Sequence, residues 1–340
     1  MSNFNKEQKI LALTQLGDYL LSPEQTLADI IRQAKNKNAW FTEEQVTTSI
    51  KATGSLLNKE NLVEWIADYN FGTTPKRIGL TLAGNIPMVG FQDILAVLIS
   101  GNIALIKLSS SDDILIPHIL NKLISIEPSF KDQIIIVDKL KDFDAVIATG
   151  SDNTSRYFEY YFSKVPHIIR KNRNSIAILN GEEKTEDLKG LGRDILDYFG
   201  LGCRNVSKLY VPKGYNFVPF FEAIEEFQPI INHHKYSNNY DYNKSIFLVN
   251  KVEHLDNGFL LVSKNEALSS PLSVIYYEEY SSLSETIKDI QGKKNLIQVG
   301  VTNINEDFEI ATTPFGNSQQ PKLWDYADGI DTLNFLSTLN

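Results

Sequence analysis

The chain has 340 residues, 42% of them hydrophobic, enough to bury a large core and to suggest two packed domains rather than one. Its net charge of -9 repels nucleic acid and anionic membrane surfaces, and its single cysteine excludes an internal disulfide and any multi-cysteine metal site. The longest apolar run, Ile94 to Ile99, is far too short to span a bilayer, and MSNFNKEQK lacks the apolar core of a signal peptide, so the cytoplasm is the expected location. No metal is expected.

Residues 1 to 70 carry helical periodicities, among them Ile10, Leu13, Leu16 and Leu20, then Val46, Ile50 and Leu57, which predict a helical N-terminal region packed on something larger. The period then changes. Arg77 to Leu82 alternates as a strand, Gly84-Asn85-Ile86-Pro87 punctuates it, and Phe91 to Ile99 reads as a buried helix stopped by Gly101-Asn102. Ile103 to Leu108 is a second buried strand, followed by a helix over Leu115 to Ile126 and a strand over Gln133 to Val137. A strand over Asp144 to Ala148 ends in Thr149-Gly150-Ser151, and a helix runs from Asn153 to Phe162. Short apolar strands alternating with helices predict a parallel sheet covered on both faces, whose ligands bind at the carboxyl ends of the strands.

The second half repeats the style. A helix over residues 188 to 199 leads into Gly200-Leu201-Gly202-Cys203, and a strand over Lys208 to Val211 is closed by Pro212. A helix over Phe217 to Phe227 and a polar loop over residues 232 to 244 follow. Strands are then expected at Ser245 to Val249, Phe259 to Val262 and Leu272 to Tyr277, a helix at Leu283 to Ile290, a strand at Leu296 to Gly300 and an amphipathic helix from Asp328 to Leu339.

Polar residues at element ends are the candidates for chemistry. Two glycines just before Cys203, Gly200 and Gly202, let the backbone approach a ligand closely, so the sulfur could be presented at a cleft; a lone cysteine is equally a small buried hydrophobe. Asn85, Lys107 and Gly150-Ser151 close strands and would converge on one crevice of an open parallel sheet. Singly, they read as a turn former, a solvated strand end and a helix N-cap. No Gly-x-Gly-x-x-Gly fingerprint follows any of these strands.

Together these segments resemble the aldehyde dehydrogenase superfamily. Ala83-Gly84-Asn85-Ile86-Pro87 stands where that family has Pro-Trp-Asn-x-Pro, and the run from Ser100-Gly101-Asn102 to Lys107-Leu108-Ser109-Ser110 is similar to its Ala-Gly-Asn-x-x-x-x-Lys-Pro-Ser-Glu strand. Ala148-Thr149-Gly150-Ser151 is similar to Phe-Thr-Gly-Ser, and Gly200 to Lys208 to the Gly-Gln-x-Cys-x-Ala-x-Ser-Arg nucleophile segment. Ser270-Pro271-Leu272-Ser273-Val274 resembles Gly-Pro-Val-x-x-Val. The family's general base lies in Leu-Glu-Leu-Gly-Gly-Lys-Ser-Pro, and the best local fit, Ile169 to Ile176, puts Arg170 where the glutamate should be, with Glu182 or Glu183 as the carboxylate if the register differs.

An oxidising aldehyde dehydrogenase needs that carboxylate to activate water, whereas an enzyme exchanging acyl groups with a thiol carrier does not. The chain therefore looks most like the LuxC-type acyl-CoA reductases, and Pro314-Phe315-Gly316 with Leu323-Trp324-Asp325 strengthens the similarity. The resemblance implies an α/β, aldehyde-dehydrogenase-like fold of two Rossmann-like three-layer domains. A dinucleotide-binding domain would span residues 1 to 200 with 312 to 340, and a catalytic domain residues 201 to 311. It implies reduction of an acyl-CoA or an acylated carrier to an aldehyde through an acyl-Cys203 intermediate, with Asn85 on the oxyanion, Lys107 on the adenosine ribose and Gly150-Ser151 at the pyrophosphate. Ser110 stands where NAD-preferring relatives carry a glutamate, which favours NADPH over NADH, although Asp112 and Asp113 lie close by. A homo-oligomer or an acyl-transferring partner enzyme fits the same reading. The alternatives are acyl transfer or thioester hydrolysis without reduction, and a non-catalytic scaffold.

Overall fold

A computed structural model describes residues 5–150 and 152–339. The chain divides into two compact units, Met1–Lys171 with Lys322–Asn340, and Asn172–Pro321. Among the described residues no helix is long and apolar enough to cross a membrane.

In the first unit, α1 (Lys6–Leu21) starts from a capping box in which Asn5 and Gln8 satisfy each other's backbone amides. It is followed by α2 (Gln25–Lys37), α3 (Glu43–Leu56) and α4 (Lys59–Trp65), the last two capped by Thr42 and Asn58. The strands β1 (Arg77–Thr81), β2 (Ile103–Lys107), β3 (Ile134–Ile136), β4 (Ala145–Thr149) and β5 (His167–Arg170) form an all-parallel sheet in the order β3-β2-β1-β4-β5. Between β1 and β2 runs α5 (Phe91–Ile99), buried along its whole length because it packs against both strands, against α1 and against the C-terminal helix α12 (Thr332–Ser337). The helices α6 (Leu115–Ile126) and α7 (Asp152–Phe162) complete the cover. The C-terminal helix is shorter than expected, because Asp328 takes a left-handed φ of 60° within a short 3-10 turn, Ala327–Gly329, and the helix begins only after the Asp331 cap.

The second unit carries β6 (Asn174–Ile178), α8 (Thr185–Leu196), β7 (Val206–Pro212), α9 (Val218–Ala223), α10 (His234–Val249), β8 (His254–Asp256), β9 (Leu261–Lys264), β10 (Val274–Tyr280), α11 (Leu283–Gly292), β11 (Ile297–Val301) and β12 (Thr312–Thr313). Its sheet runs β12-β11-β6-β7-β10-β9-β8, parallel except for the β8–β9 pair.

Two expectations are corrected here. The unit boundaries fall at residues 171/172 and 321/322, not at 200/201 and 311/312, because β6 is hydrogen-bonded between β11 and β7 and α8 packs on α9 and β7. The segment read as a polar loop plus a strand, residues 232 to 249, is largely the helix α10. Its buried residues Tyr236, Tyr240, Asn243 and Phe247 recur at four, three and four positions, a helical stripe in which two tyrosines and an asparagine stand in for aliphatic residues. Their hydroxyls are satisfied: Tyr236 donates to the Phe259 carbonyl at 3.0 Å and Tyr240 to Asp256 at 2.6 Å.

Candidate functional site

In the first unit the strand order reverses between β1 and β4, the place where open α/β sheets bind ligands at their carboxyl edge. In register, Thr81 lies beside Lys107 on one side and Ala148 on the other, so the segments after β1, β2 and β4 leave the sheet at one edge. Asn85, Lys107 and Ser110 are exposed there and Gly150 is half-buried; Ser151 lies outside the described residues. A Cβ on Gly150 would come within 2.9 Å of the Phe158 ring, so glycine lets α7 close onto the strand end, and the Gly150 amide donates to the Arg170 carbonyl at 3.3 Å.

The Asn85 turn is clamped within its own unit. A Cβ on Gly84 would lie 2.4 Å from Ser109 Oγ, so the loops after β1 and β2 touch through the missing side chain. Ser49 Oγ, on α3, donates to the Pro87 carbonyl at 2.8 Å, and the Met88 amide donates to Asp112 Oδ2 at 2.9 Å. Burial pushes the Asp112 carboxyl up to about 6, against the lowering effect of the Met88 and Leu115 amides. Asp113 is paired with Lys37 on α2 at 3.1 Å. Both carboxylates near Ser110 are therefore engaged by their own unit.

In the second unit, exposed Cys203 sits in the turn before β7. Three consecutive residues before it, Tyr198, Phe199 and Gly200, have φ of 53°, 59° and 76°, a left-handed stretch that L side chains tolerate poorly. The two aromatics are buried, and the Phe199 ring lies 4.4 Å from that of His233. Buried Asn205 ties the turn to α8: its Oδ1 accepts from the Gly202 amide at 2.8 Å, and its Nδ2 donates to the carbonyls of Asp194 and Asp197 at 3.2 and 2.8 Å. Ser175 Oγ, at the start of β6, donates to the Cys203 carbonyl at 2.8 Å. Neither Ser175 nor Asn205 was singled out from the sequence; the signal was an amide side chain two residues past the cysteine, within reach of a helix end. Lys208, in the nucleophile-like segment, is fully buried and donates to Glu278 at 3.0 Å and to the Asn265 carbonyl, so it belongs to the packing of β7 on β10.

The two alternatives for a base separate on geometry. Arg170 is buried, with Nη1 on Asp93 at 2.8 Å and Nη2 on Thr332 Oγ1 at 2.8 Å, so it pins β5, α5 and α12 together. Glu183 lies past the carboxyl end of β6, where it accepts from the Asn180 amide at 2.6 Å, and the neighbouring Gly181 abuts Pro212 at the far end of β7. Cys203 is at the opposite end of that strand, roughly 20 Å away at the ordinary rise per residue. Neither Glu182 nor Glu183 shares an edge of the sheet with the thiol. Among the described residues no group of three or more His, Cys, Asp or Glu is arranged to hold a metal ion.

A family model described as acyl-CoA reductase (LuxC) matches residues 34–223. Solved structures with similar folds include aldehyde dehydrogenase 21 from Physcomitrella patens in complex with succinate, with a TM-score of 0.68 at 12% identity over 100% of this chain and 85% of that one. An oxidoreductase from Marinobacter aquaeolei has a TM-score of 0.68 at 11% identity, over 95% and 80% of the two chains. A variant of the indole-3-acetaldehyde dehydrogenase AldA from P. syringae, in complex with NAD+ and IAA, has a TM-score of 0.67 at 12% identity, over 91% and 74%. None of the curated proteins compared matches the chain. The structural likenesses establish the aldehyde-dehydrogenase-like fold.

Proposed function

The chain belongs to the LuxC acyl-CoA reductase family, and from that premise we propose that it is a cytoplasmic enzyme that reduces a fatty acyl-CoA to its aldehyde with NADPH through an acyl-Cys203 intermediate. The observation that carries this reading is the turn of Cys203: exposed, preceded by Gly202, and fixed by Ser175 and Asn205 from two different elements. A thiol held for packing would not need an exposed sulfur in a strained turn.

The Cys203 thiolate attacks the thioester carbonyl carbon. The resulting oxyanion would be held by the Cys203 backbone N–H and, as the resemblance to the superfamily implies, by the Asn85 side-chain amide; loss of one such donor costs about 2.7 to 4 kcal/mol of barrier. The C–S bond to CoA then breaks, CoA departs as its thiolate and takes a proton from solvent, and the acyl group remains on Cys203. The nicotinamide supplies a hydride when bound. The aldehyde leaves as the C–S bond to Cys203 breaks and the thiolate is restored.

The residues at the carboxyl edge of the first sheet fit a dinucleotide. The order reversal supplies the crevice; Lys107 would hold the ribose hydroxyls and the start of α7 would receive the pyrophosphate, the bound group supplying a hydride. The AldA neighbour, seen with NAD+, supports a nicotinamide dinucleotide there. Preference for NADPH is supported by Ser110 at the ribose position and by the engagement of Asp112 and Asp113 elsewhere, which leaves a 2′-phosphate without a carboxylate to repel it. Mixing the protein with NADPH and a long-chain acyl-CoA should lower absorbance at the nicotinamide band with formation of aldehyde, and Cys203→Ala should abolish both. Undiminished turnover in that variant would remove Cys203 from the mechanism.

A further inference from the structure

We propose that Asp112 is a positioning residue for acyl transfer, its buried carboxylate holding the Asn85 turn in place through the Met88 amide. The proposal rests on the reading above, in which Asn85 polarises the thioester carbonyl. Met88 has a φ of 63°, and a left-handed conformation at a residue with a side chain persists only where its surroundings over-determine it. Three contacts supply those surroundings: Asp112 Oδ2 accepts from the Met88 amide at 2.9 Å, Ser49 Oγ donates to the preceding carbonyl, Pro87, at 2.8 Å, and Gly84 is pressed against Ser109. Asn85 lies between these clamps.

The plainer role for Asp112 is to serve the start of α6. Ser, Asn or Thr serves a helix start as Asp does and carries no buried charge, so that role alone does not call for a carboxylate at this depth. Asp112 is 3% exposed, and it reaches across to a neighbouring loop. A shift of the turn by a fraction of an ångström would move the Asn85 amide off the developing oxyanion and leave the thiol itself untouched.

That difference gives the test. In the full-length protein, Asp112→Ala should slow acylation of Cys203 by a long-chain acyl-CoA about tenfold or more, read as mass gain in a single turnover, because misplacement of a positioned group is costly. Alkylation of Cys203 by iodoacetamide forms no oxyanion and should stay within about twofold of wild type. Asp112→Asn keeps an acceptor for the Met88 amide and should restore most of the acylation rate. Acylation at the wild-type rate in Asp112→Ala, or equal slowing of acylation and alkylation, would overturn the proposal. If Asp112→Ala does not fold, Ser49→Ala, which removes the second clamp, decides: slower acylation with unchanged alkylation supports the role, and no change overturns it. Failure of the underlying reading looks different, since Asn85→Ala would then acylate normally or the wild type would not acylate at Cys203 at all.

Discussion

Arg170 and Asp93 form a 2.8 Å ion pair inside the first unit, with both side chains 8% exposed. Arg170 therefore carries packing load at the position where the superfamily resemblance calls for a catalytic glutamate. Arg170→Glu would set a second carboxylate against buried Asp93, and breaking such a pair costs about 3 to 5 kcal/mol. The variant should unfold at markedly lower urea and gain no hydrolytic activity. A folded variant that releases fatty acid from acyl-CoA would show that this position does face the acyl-enzyme.

The absence of Glu182 and Glu183 from the edge that carries Cys203 bears on the lifetime of the acyl-enzyme. Protein mixed with acyl-CoA and no nicotinamide should retain the acyl group as a mass increase that hydroxylamine removes, and Cys203→Ala should remain unlabelled. Rapid, repeated release of free fatty acid under these conditions would make the protein a thioesterase.

Nicotinamide preference should respond to Ser110. Ser110→Glu places a carboxylate able to accept the ribose hydroxyls and to repel a 2′-phosphate, so the ratio of kcat/KM for NADPH over NADH should fall, by about tenfold or more for a 1.4 kcal/mol change. A wild type that already prefers NADH strongly would contradict the argument.

Lys9 gives a pH signature in stability. It is 6% exposed on α1, and burial lowers its ammonium from 10.5 to about 8. Below pH 8 both folded and unfolded chains carry the charge, and the folded one bears the full desolvation penalty. Between pH 8 and 10.5 only the unfolded chain is protonated, so this penalty fades as pH rises. Lys9→Met should raise the urea-unfolding free energy at pH 7 by up to about 3 kcal/mol, with the gain shrinking toward pH 10.5. An equal gain at pH 7 and pH 10.5 would assign it to packing instead.

The sequence by itself determined those parts whose causes are local. The apolar run of Phe91 to Ile99, stopped by Gly101-Asn102, and the 3.6-residue period of Leu115 to Ile126 are fully written in those segments, and α5 and α6 have those bounds. The Gly84-Asn85 and Gly202-Cys203 turns are legible because glycine punctuates them whatever surrounds them. Where a segment's meaning depends on distant partners, only the tertiary structure decided. The polar stripe of α10 becomes a core face only once β9 and β10 lie against it, and β6 declares its unit only by pairing with β7 and β11. Arg170 finds its carboxylate 77 residues away, and Asp112 finds the Met88 amide 24 residues away. Both are buried ionisable groups whose environment comes from a different loop or helix, so no local pattern distinguishes them from the solvated charges that these residue types ordinarily are.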